Sequence, residues 1–389
     1  MPSDQSTWLI SAPLNGDTEG LFQEFSRKVA HQAKAVPPNN IAPLNIPTFK
    51  TGTLDTLISL SEDLPKQEAF FTATVAKTVD TLRNLVNNDA TKLAQHTVVN
   101  EDTVDEYVLR DWKWNEGRYG LHRGLRETVD TLNKEMASID NSMRTKLQNY
   151  NLVKGSLVQM QRKKTGNLSV KSLADIVRKE DFVEDSEYLE TLVVAVPKNI
   201  VKDWNTSYER LTTMVVPRSS KTLATDDDYF LNTVVIFRKV HDEYVQKCRE
   251  RKFLVRDFTY SEDEIHKQRE EMETTDVTEK ELWAELLQLS RTNFSEAFQL
   301  LVHIKVVRLF VESVLRYGLP ANYTGLVVKP DTKSAKKLFE LLQSQFSFLG
   351  SSSGRYAKDK GQEEFVGEFQ ALMEQDFYDF VIYEVPWIV

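Results

Sequence analysis

The chain of 389 residues is 41% hydrophobic and 28% charged, as in a folded globular protein, and its formal net charge of −9 argues against a general nucleic-acid binder. Cys248 is the only cysteine, so no internal disulfide can form, which fits a reducing compartment. The N-terminus lacks the pattern of a secretory signal, and no stretch reaches the ~20 apolar residues that span a bilayer, so we expect a cytoplasmic protein without direct membrane insertion.

The first predicted elements are a strand at Trp8–Ala12 and, much later, one very long helix. Proline inside a helix costs ~3 kcal/mol, so long helices are expected in proline-free intervals. Seven of the twelve prolines fall at or before Pro65, and the next one is Pro197. This interval carries an apolar stripe with a period near 3.5 residues, which favours a left-handed supercoil with a second helix. The stripe consists of Leu121, Leu125, Val129, Leu132, Met136, Ile139, Met143, Leu147, Tyr150, Val153, Leu157 and Met160.

A segment with a different pattern, Ser169–Tyr260, follows the first long helix. Its β-α-β-β-α-β order predicts a sheet with two helices on one face. The six predicted elements are Tyr188–Pro197, Asn199–Leu211, Thr213–Val216, Tyr229–Phe237, Val240–Arg251 and Lys252–Phe258. Glycine is absent from Asn167 to Tyr317, so we expect connections longer than the glycine-dependent two-residue hairpin.

The second long helix is predicted from about Glu279 to Tyr317. Its apolar stripe consists of Trp283, Leu286, Leu287, Phe294, Phe298 and Leu301. Beyond it, Leu326–Lys329 and Phe380–Val385 are strand candidates, and Asp331–Phe348 is a helix candidate. If both long helices run to and from the middle segment, the two chain ends must meet in one domain.

We therefore expect an α+β fold in the form of an elongated dumb-bell. A discontinuous α/β foot would comprise residues 1–115 and 318–389. A two-helix neck would comprise residues 116–166 and 262–317, and an inserted α/β head residues 167–261. About 40 helical residues make a rod of roughly 60 Å, which exceeds the width of a compact domain.

The sequence contains no fingerprint for nucleotide, metal or cofactor binding. G-x-x-x-x-G-K-[ST], G-x-G-x-x-G and H-E-x-x-H are absent, and the six histidines show no ligand spacing. The run Lys163–Gly166 superficially resembles the end of a phosphate loop, but it is better explained as a helix C-terminus. We expect no catalytic residue, no cofactor and no metal site.

Basic residues form two clusters that are candidates for partner binding. They are Lys247, Arg249, Arg251, Lys252 and Arg256 on the head and Arg162, Lys163 and Lys164 at the junction of neck and head. An acidic run, Glu262–Glu285, follows the head cluster. Such runs are usually solvated faces. Alternatively, opposite patches guide docking onto charged helical partners and accelerate association more than they strengthen it.

The end of the second long helix, His303–Pro320, reads HIKVVRLFVESVLRYGLP. Apolar residues recur there at spacings of three and four, with Lys305, Arg308 and other charged residues between them, which is typical of an amphipathic helix that packs into a core. Gly318 suits the position just past a helix end, and Pro320 forbids continuation.

Five segments in one collinear order resemble the C-subunit family of vacuolar-type proton ATPases. His303–Pro320 is similar to the C-terminal helix of these proteins, and Gln161–Val177 to the segment by which they enter the head domain. Shorter matches lie at Phe49–Ile58, Val194–Lys198 and Arg251–Tyr260. Together they span most of the chain.

This resemblance implies a non-catalytic connector that acts in the stator of a proton pump. The head would bind a peripheral stalk made of the E and G subunits. The foot would bind another stalk and the cytosolic N-terminal domain of membrane subunit a. The protein would leave during regulated disassembly of the cytosolic and membrane sectors, so it would be a cytoplasmic monomer when isolated and peripheral to vacuolar membranes when assembled.

Two other functions are compatible with the sequence. One is a free cytosolic adaptor that bundles actin through its two ends, and the other is an enzyme with an unrecognised nucleotide site in the foot. An adaptor would lack stoichiometric E and G subunits in native pull-downs. Calorimetry with ATP tests the nucleotide site.

Overall fold

A computed structural model of the chain shows helices and small antiparallel sheets, which confirms the α+β class. The residues that the structure describes are 3, 5–13, 22–23, 27, 40–174, 176–183, 186–258, 260–319, 323–331, 333, 335–353, 378 and 380–386. Pro320 of the motif above lies outside them.

The strands of the described residues form two four-stranded sheets and one short hairpin. They are β1 Thr7–Pro13, β2 Ile41–Leu44, β3 Val98–Val99, β4 Asp102–Thr103, β5 Leu189–Pro197, β6 Lys221–Thr225, β7 Tyr229–Phe237, β8 Leu254–Arg256, β9 Tyr323–Val328 and β10 Val381–Val385.

The principal helices include the two long ones that the sequence predicts. They are α1 Leu54–Leu85, α2 Ala90–His96, α3 Leu125–Thr165, α4 Val201–Ser207, α5 His241–Glu250, α6 Glu262–Tyr317 and α7 Ala335–Ser353.

The chain divides into two compact units. Unit 1 comprises residues 1–147 and 285–389, and unit 2 comprises residues 148–284. Both unit boundaries fall inside the long helices, at residues 147–148 of α3 and 284–285 of α6. The dumb-bell and its finer division into foot, neck and head stay predictions.

The sheet of unit 1 contains strands from both ends of the chain. Its order is β10-β1-β9-β2, and all pairs are antiparallel. Trp8 of β1 lies opposite Glu384 on one side and Val328 on the other. One face packs on α1, α3 and α6, and the other face packs on α7. The expected strands at the two chain ends are thus confirmed, whereas β2 was not predicted.

Helix α1 shows that the proline rule was too strict, because Pro65 lies inside it. The side chain of Thr53 caps its first turn by accepting the N–H of Thr56. The helix buries one face over its whole length, including Leu57, Leu60, Leu64, Phe71, Val75, Val79, Leu82 and Leu85. Each such side chain contributes roughly 1.5–3 kcal/mol on burial, so the face as a whole outweighs the ~3 kcal/mol cost of one proline.

The predicted stripe is confirmed: eight of its twelve residues are buried and the other four are partly buried. Leu121 precedes α3, which begins at Leu125 and carries the other eleven. Helix α6 begins at Glu262 rather than near Glu279, because neither proline nor glycine interrupts the acidic run and acidic residues suit a helix N-terminus. Trp283 was wrongly placed in the second stripe, since 37% of its surface is exposed.

The sheet of unit 2 has the order β6-β7-β5-β8 and confirms the β-α-β-β-α-β succession. Helices α4 and α5 pack on one face, as expected. The predicted strand Thr213–Val216 is wrong: only a bridge between Val215 and Ile236 forms there, because Pro217 cannot donate to a ladder. The strand is Lys221–Thr225 instead. The helix predicted at Asn199–Leu211 is broken into α4 and flanking 3-10 turns.

Asp226 replaces glycine in the connection between β6 and β7. Its carboxylate accepts the N–H groups of Asp228 at 2.9 Å and Tyr229 at 2.6 Å, and also that of Leu168 at 2.5 Å. The loop has three residues, in accord with the expectation of a longer connection. The same side chain therefore shapes the turn and holds the segment after α3 beside it.

Candidate partner-binding site

Four of the five basic residues predicted on the head surround the end of helix α5. Lys247 and Arg249 lie in its last turn, and Arg251 and Lys252 follow it. All four side chains are exposed. Lys252 takes a left-handed conformation with φ 63°, and its N–H donates to the carbonyl of Arg249 at 3.1 Å, so the turn is closed by its own backbone.

Three of these residues carry charge that the described structure leaves unpaired. Lys247 lies 3.3 Å from Glu250, and because both side chains are exposed this pair contributes little to stability. Within the described residues, no carboxylate lies within ion-pair distance of Arg249, Arg251 or Lys252. The turn is thus accessible and positively charged, and binding of a partner there stays a prediction.

Arg256 has a different role from the other four. Its guanidinium donates to the carbonyls of Leu168 at 2.6 Å and Lys171 at 2.8 Å, and burial lowers its pKa. The side chain fixes the 168–171 turn against strand β8. It is therefore engaged inside unit 2 and does not join the exposed cluster.

The second predicted cluster lies in the last turn of α3. Arg162, Lys163 and Lys164 are exposed there, and the N–H of Gly166 donates to the Arg162 carbonyl at 2.8 Å. This geometry confirms a helix C-terminus rather than a phosphate loop. Basic side chains in this turn also interact favourably with the helix dipole.

A cleft of about 860 Å³ lies in unit 2 and has mixed charge. Arg238, Arg249 and Glu190 line it, and His241 Nδ1 lies 2.7 Å from Glu190 Oε1. Within the described part of the chain, no group of histidine, cysteine, aspartate and glutamate side chains could hold a metal ion.

The motif at the end of α6 is a helix packed into the core, as expected, but it is buried on nearly all sides rather than along one stripe. Lys305 is only 3% exposed and pairs with Glu68 of α1. Arg308 lies 2.7 Å from the other carboxylate oxygen of Glu68 and 4.3 Å from the ring centre of Tyr383. The reason is that α1, α3 and the sheet enclose α6 in unit 1.

The two cationic neighbours of Glu68 keep its carboxyl group ionised. Burial by itself would raise the pKa of Glu68, but attraction to Lys305 and Arg308 outweighs burial and lowers the pKa below its usual value. Sequence reasoning did not single out Glu68. The signal was Lys305, a cation in a nearly continuous apolar run, which needs an acid once the run is buried.

His303 is a neutral histidine inside an aromatic cage. Its ring centre lies 5.7, 4.9 and 5.4 Å from those of Trp112, Trp114 and Tyr119. Nδ1 lies 2.7 Å from the Gln299 carbonyl, and Nε2 accepts the N–H of Asn115 at 3.3 Å. Burial lowers the pKa of His303 to about 4. The start of the motif is thus a core element of unit 1.

The chain matches the model of the V-ATPase C-subunit family over residues 7–381. The chain belongs to this family. It is similar to the C 1 subunit of the V-type proton ATPase of Xenopus tropicalis, with 38% identity over 378 residues and 97% of each chain covered. It is also similar to the C 1 subunit of Mus musculus, with 39% identity over 381 residues and the same coverage, and to the C 1-A subunit of Danio rerio, with 38% identity.

Among solved structures, the cytoplasmic N-terminal domain of the I subunit, a homolog of subunit a of V-ATPase, matches with a TM-score of 0.30 and 13% identity. The match covers 87% of this chain and 97% of that one. This likeness is too weak to assign a common fold.

Family membership confirms the resemblance read from the five sequence segments. It also confirms the expectation of a non-catalytic subunit of the V-type proton ATPase. Among the described residues, none of the helices combines the length and the apolar character needed to cross a bilayer.

Replacing the Glu68 carboxylate tests the buried ion cluster. Glu68→Gln keeps the shape but leaves Lys305 buried beside a neutral partner, so we expect the free energy of unfolding to fall by about 3–5 kcal/mol. Urea unfolding followed by circular dichroism measures this. Glu285→Gln, which breaks the exposed 2.8 Å pair with Lys146, is the matched control and should cost less than about 1 kcal/mol. Equal losses in the two variants would contradict the account.

His303 makes stability depend on pH. The unfolded chain binds a proton at this residue below pH ~6.5, whereas the folded chain stays neutral until about pH 4. The free energy of unfolding therefore contains the full contribution of neutral His303 above pH ~6.5. It falls by on the order of 3 kcal/mol as the pH drops to about 4. We expect His303→Gln to be destabilised at neutral pH but to show a shallower loss over this range. If the free energy of unfolding changes with pH equally steeply in His303→Gln and in the wild type, His303 does not titrate in this way.

Proposed function

We propose that this chain is a connector in the stator of the V-type proton ATPase. Unit 2 binds a peripheral stalk made of the E and G subunits, and unit 1 binds a second stalk and the cytosolic N-terminal domain of subunit a. The observation that carries this proposal is the match to C-subunit relatives over 97% of both chains. The two separate cores support it, because each unit can present its own binding surface.

The connectivity between the units suits a mechanical role. The chain passes from one unit to the other only within helices α3 and α6, because both unit boundaries fall inside them. Load is then carried by hydrogen-bonded helical backbone and not by a flexible loop. A stator connector must resist the torque that the rotor generates, so this arrangement is favourable.

Reversible assembly requires that at least one contact be modest. Two linked contacts hold strongly through effective concentration, and the loss of either one releases the protein. We assign the tighter contact to unit 2 and the weaker ones to unit 1. The protein would then be cytoplasmic when released and peripheral to vacuolar membranes when assembled.

Pairwise calorimetric titrations test this assignment. The full chain should bind the E–G heterodimer tightly and the N-terminal domain of subunit a at least about tenfold more weakly, in line with an avidity gain that needs only modest single contacts. Equal affinities would contradict the division of labour, and absence of binding to either partner would contradict the function itself. A native pull-down that recovers actin but no E or G subunit would favour the adaptor alternative.

A further inference from the structure

The turn that follows helix α3 closes on its own backbone. It comprises residues 167–171, which we name the entry turn. The N–H groups of Val170 and Lys171 both donate to the Asn167 carbonyl, at 2.9 and 2.8 Å. The polar groups of Leu168 are not used in this closure, and side chains of the sheet region bind them instead.

The backbone of Leu168 is held from two sides of the sheet in unit 2. Its N–H donates to the carboxylate of Asp226, which directly follows β6. Its carbonyl accepts from the guanidinium of Arg256, the last residue of β8, which also donates to the Lys171 carbonyl. In the order β6-β7-β5-β8, strands β6 and β8 are the two outer strands. The entry turn is therefore tied to both sides of the sheet.

The entry turn is also tied back to helix α3. The N–H of Ser172, the residue after the turn, donates to the Lys163 carbonyl at 2.5 Å. A Cβ at Gly166 would come within 2.9 Å of the Arg162 carbonyl oxygen and 2.8 Å of a side-chain carbon of Val170, so a larger residue fits poorly there. The end of α3, the entry turn and the sheet are thus joined by one continuous set of hydrogen bonds.

Arg256 lies close to the point where the chain leaves the sheet. Helix α6 begins at Glu262, six residues further on. Between them, the rings of Phe258 and Tyr260 lie 5.8 and 5.6 Å from that of Phe182, measured between ring centres. Phe182 belongs to the segment that leads from α3 to β5. The Arg256 guanidinium therefore joins the segment that enters the sheet from α3 to the segment that leaves it for α6.

Apolar packing holds the entering segment on the sheet but does not fix its direction. The apolar residues of this contact are Leu168, Leu173 and Val177 of the segment and Val193, Ala195 and Leu231 of the sheet. Hydrophobic attraction is non-directional. Two hydrogen bonds from one rigid guanidinium plane, in contrast, specify both a distance and an angle.

The cost of placing an arginine at this position supports a positioning role. The side chain of Arg256 is partly buried, and burial lowers its pKa. Among the described residues, no carboxylate lies within ion-pair distance of it, so the carbonyls of Leu168 and Lys171 accept its donors instead. A charge withdrawn from water without an ion-pair partner is unfavourable relative to an apolar side chain. The two hydrogen bonds account for an arginine here.

We propose that Arg256 is a positioning residue of the connector. With Asp226 on the other side of the sheet, it locks the entry turn, so that the parts of α3 and α6 that belong to unit 2 leave the sheet in one fixed direction. The inference rests on the proposed function, in which the chain makes two linked contacts. A loose joint would leave the first contact intact but lower the effective concentration for the second.

Distances between two spin labels test the fixed direction. Asn151→Cys on α3 and Lys239→Cys after β7 replace exposed residues on the two sides of the joint. The native Cys248 is buried, and burial raises its pKa to about 12, so it reacts slowly with the label. We expect one narrow distance distribution with Arg256 present. Arg256→Met removes the donors and should broaden the distribution at least about twofold, since the joint then opens locally.

Two further variants make the label measurement specific. Arg210→Met is the matched control, because Arg210 is exposed and lies outside the entry turn, and its distribution should equal that of the wild type. Arg256→Lys keeps the charge and the aliphatic stem but cannot hold two donors in one plane, so its distribution should be of intermediate width. A distribution as narrow as that of the wild type in both Arg256 variants would overturn the inference.

Two binding measurements separate positioning from a general loss of structure. Calorimetry with the E–G heterodimer alone should give a dissociation constant for Arg256→Met within about twofold of the wild type, because a single contact does not depend on the joint. Reattachment to V-ATPase membranes stripped of their C subunit engages both contacts and should weaken by about tenfold. Equal weakening in the two measurements would show that Arg256 acts on the E–G contact itself and would overturn the positioning role.

Failure of the proposed function gives a different result. In that case the wild type binds neither the E–G heterodimer nor the stripped membranes. The label distances do not depend on either partner, so they still decide whether Arg256 fixes the direction of the helices.

Discussion

Strand β1 pairs with β10 and β9, two strands from the far end of the chain, and the architecture of unit 1 follows from this constraint. Thr7 lies opposite Val385, and Trp8 lies opposite Val328. The sheet therefore forms only after the chain has left this unit and returned. Residues 148–284 become an insertion with a core of its own. Two separate cores allow two binding surfaces, as the proposed connector function requires.

Elements whose signal is local were predictable from the sequence. Tyr229–Phe237 matches its strand to the residue, because a run rich in β-branched and aromatic residues has no competing structure. Elements that form only by pairing or packing with another element of the chain were not predictable. Strand β2 contains Pro43, and β6 is an exposed edge with little apolar content, so only pairing with β9 and β7 makes them strands. Helix α1 was missed because burial of a whole face outweighs Pro65.

The candidate site likewise has features that the sequence predicts and features that it does not. The basic turn after α5 was visible in composition alone, because five cations fall within ten positions. Strand alternation says that Phe237 and Val235 share a face of the sheet, but it does not say whether another segment covers that face. Glu68 gave no signal of its own either. Its role depends on Lys305, 237 positions away, which lies opposite it only in the folded chain.

The central claim is that unit 2 makes the tight contact with the E–G heterodimer and unit 1 binds the N-terminal domain of subunit a, and hydrogen exchange of the full chain tests it most directly. The E–G heterodimer, at a concentration that saturates only the tighter contact, should slow exchange in residues 148–284 and leave the rest unchanged. The N-terminal domain of subunit a should slow exchange only in residues 1–147 and 285–389. Protection of the same unit by both partners would contradict the claim.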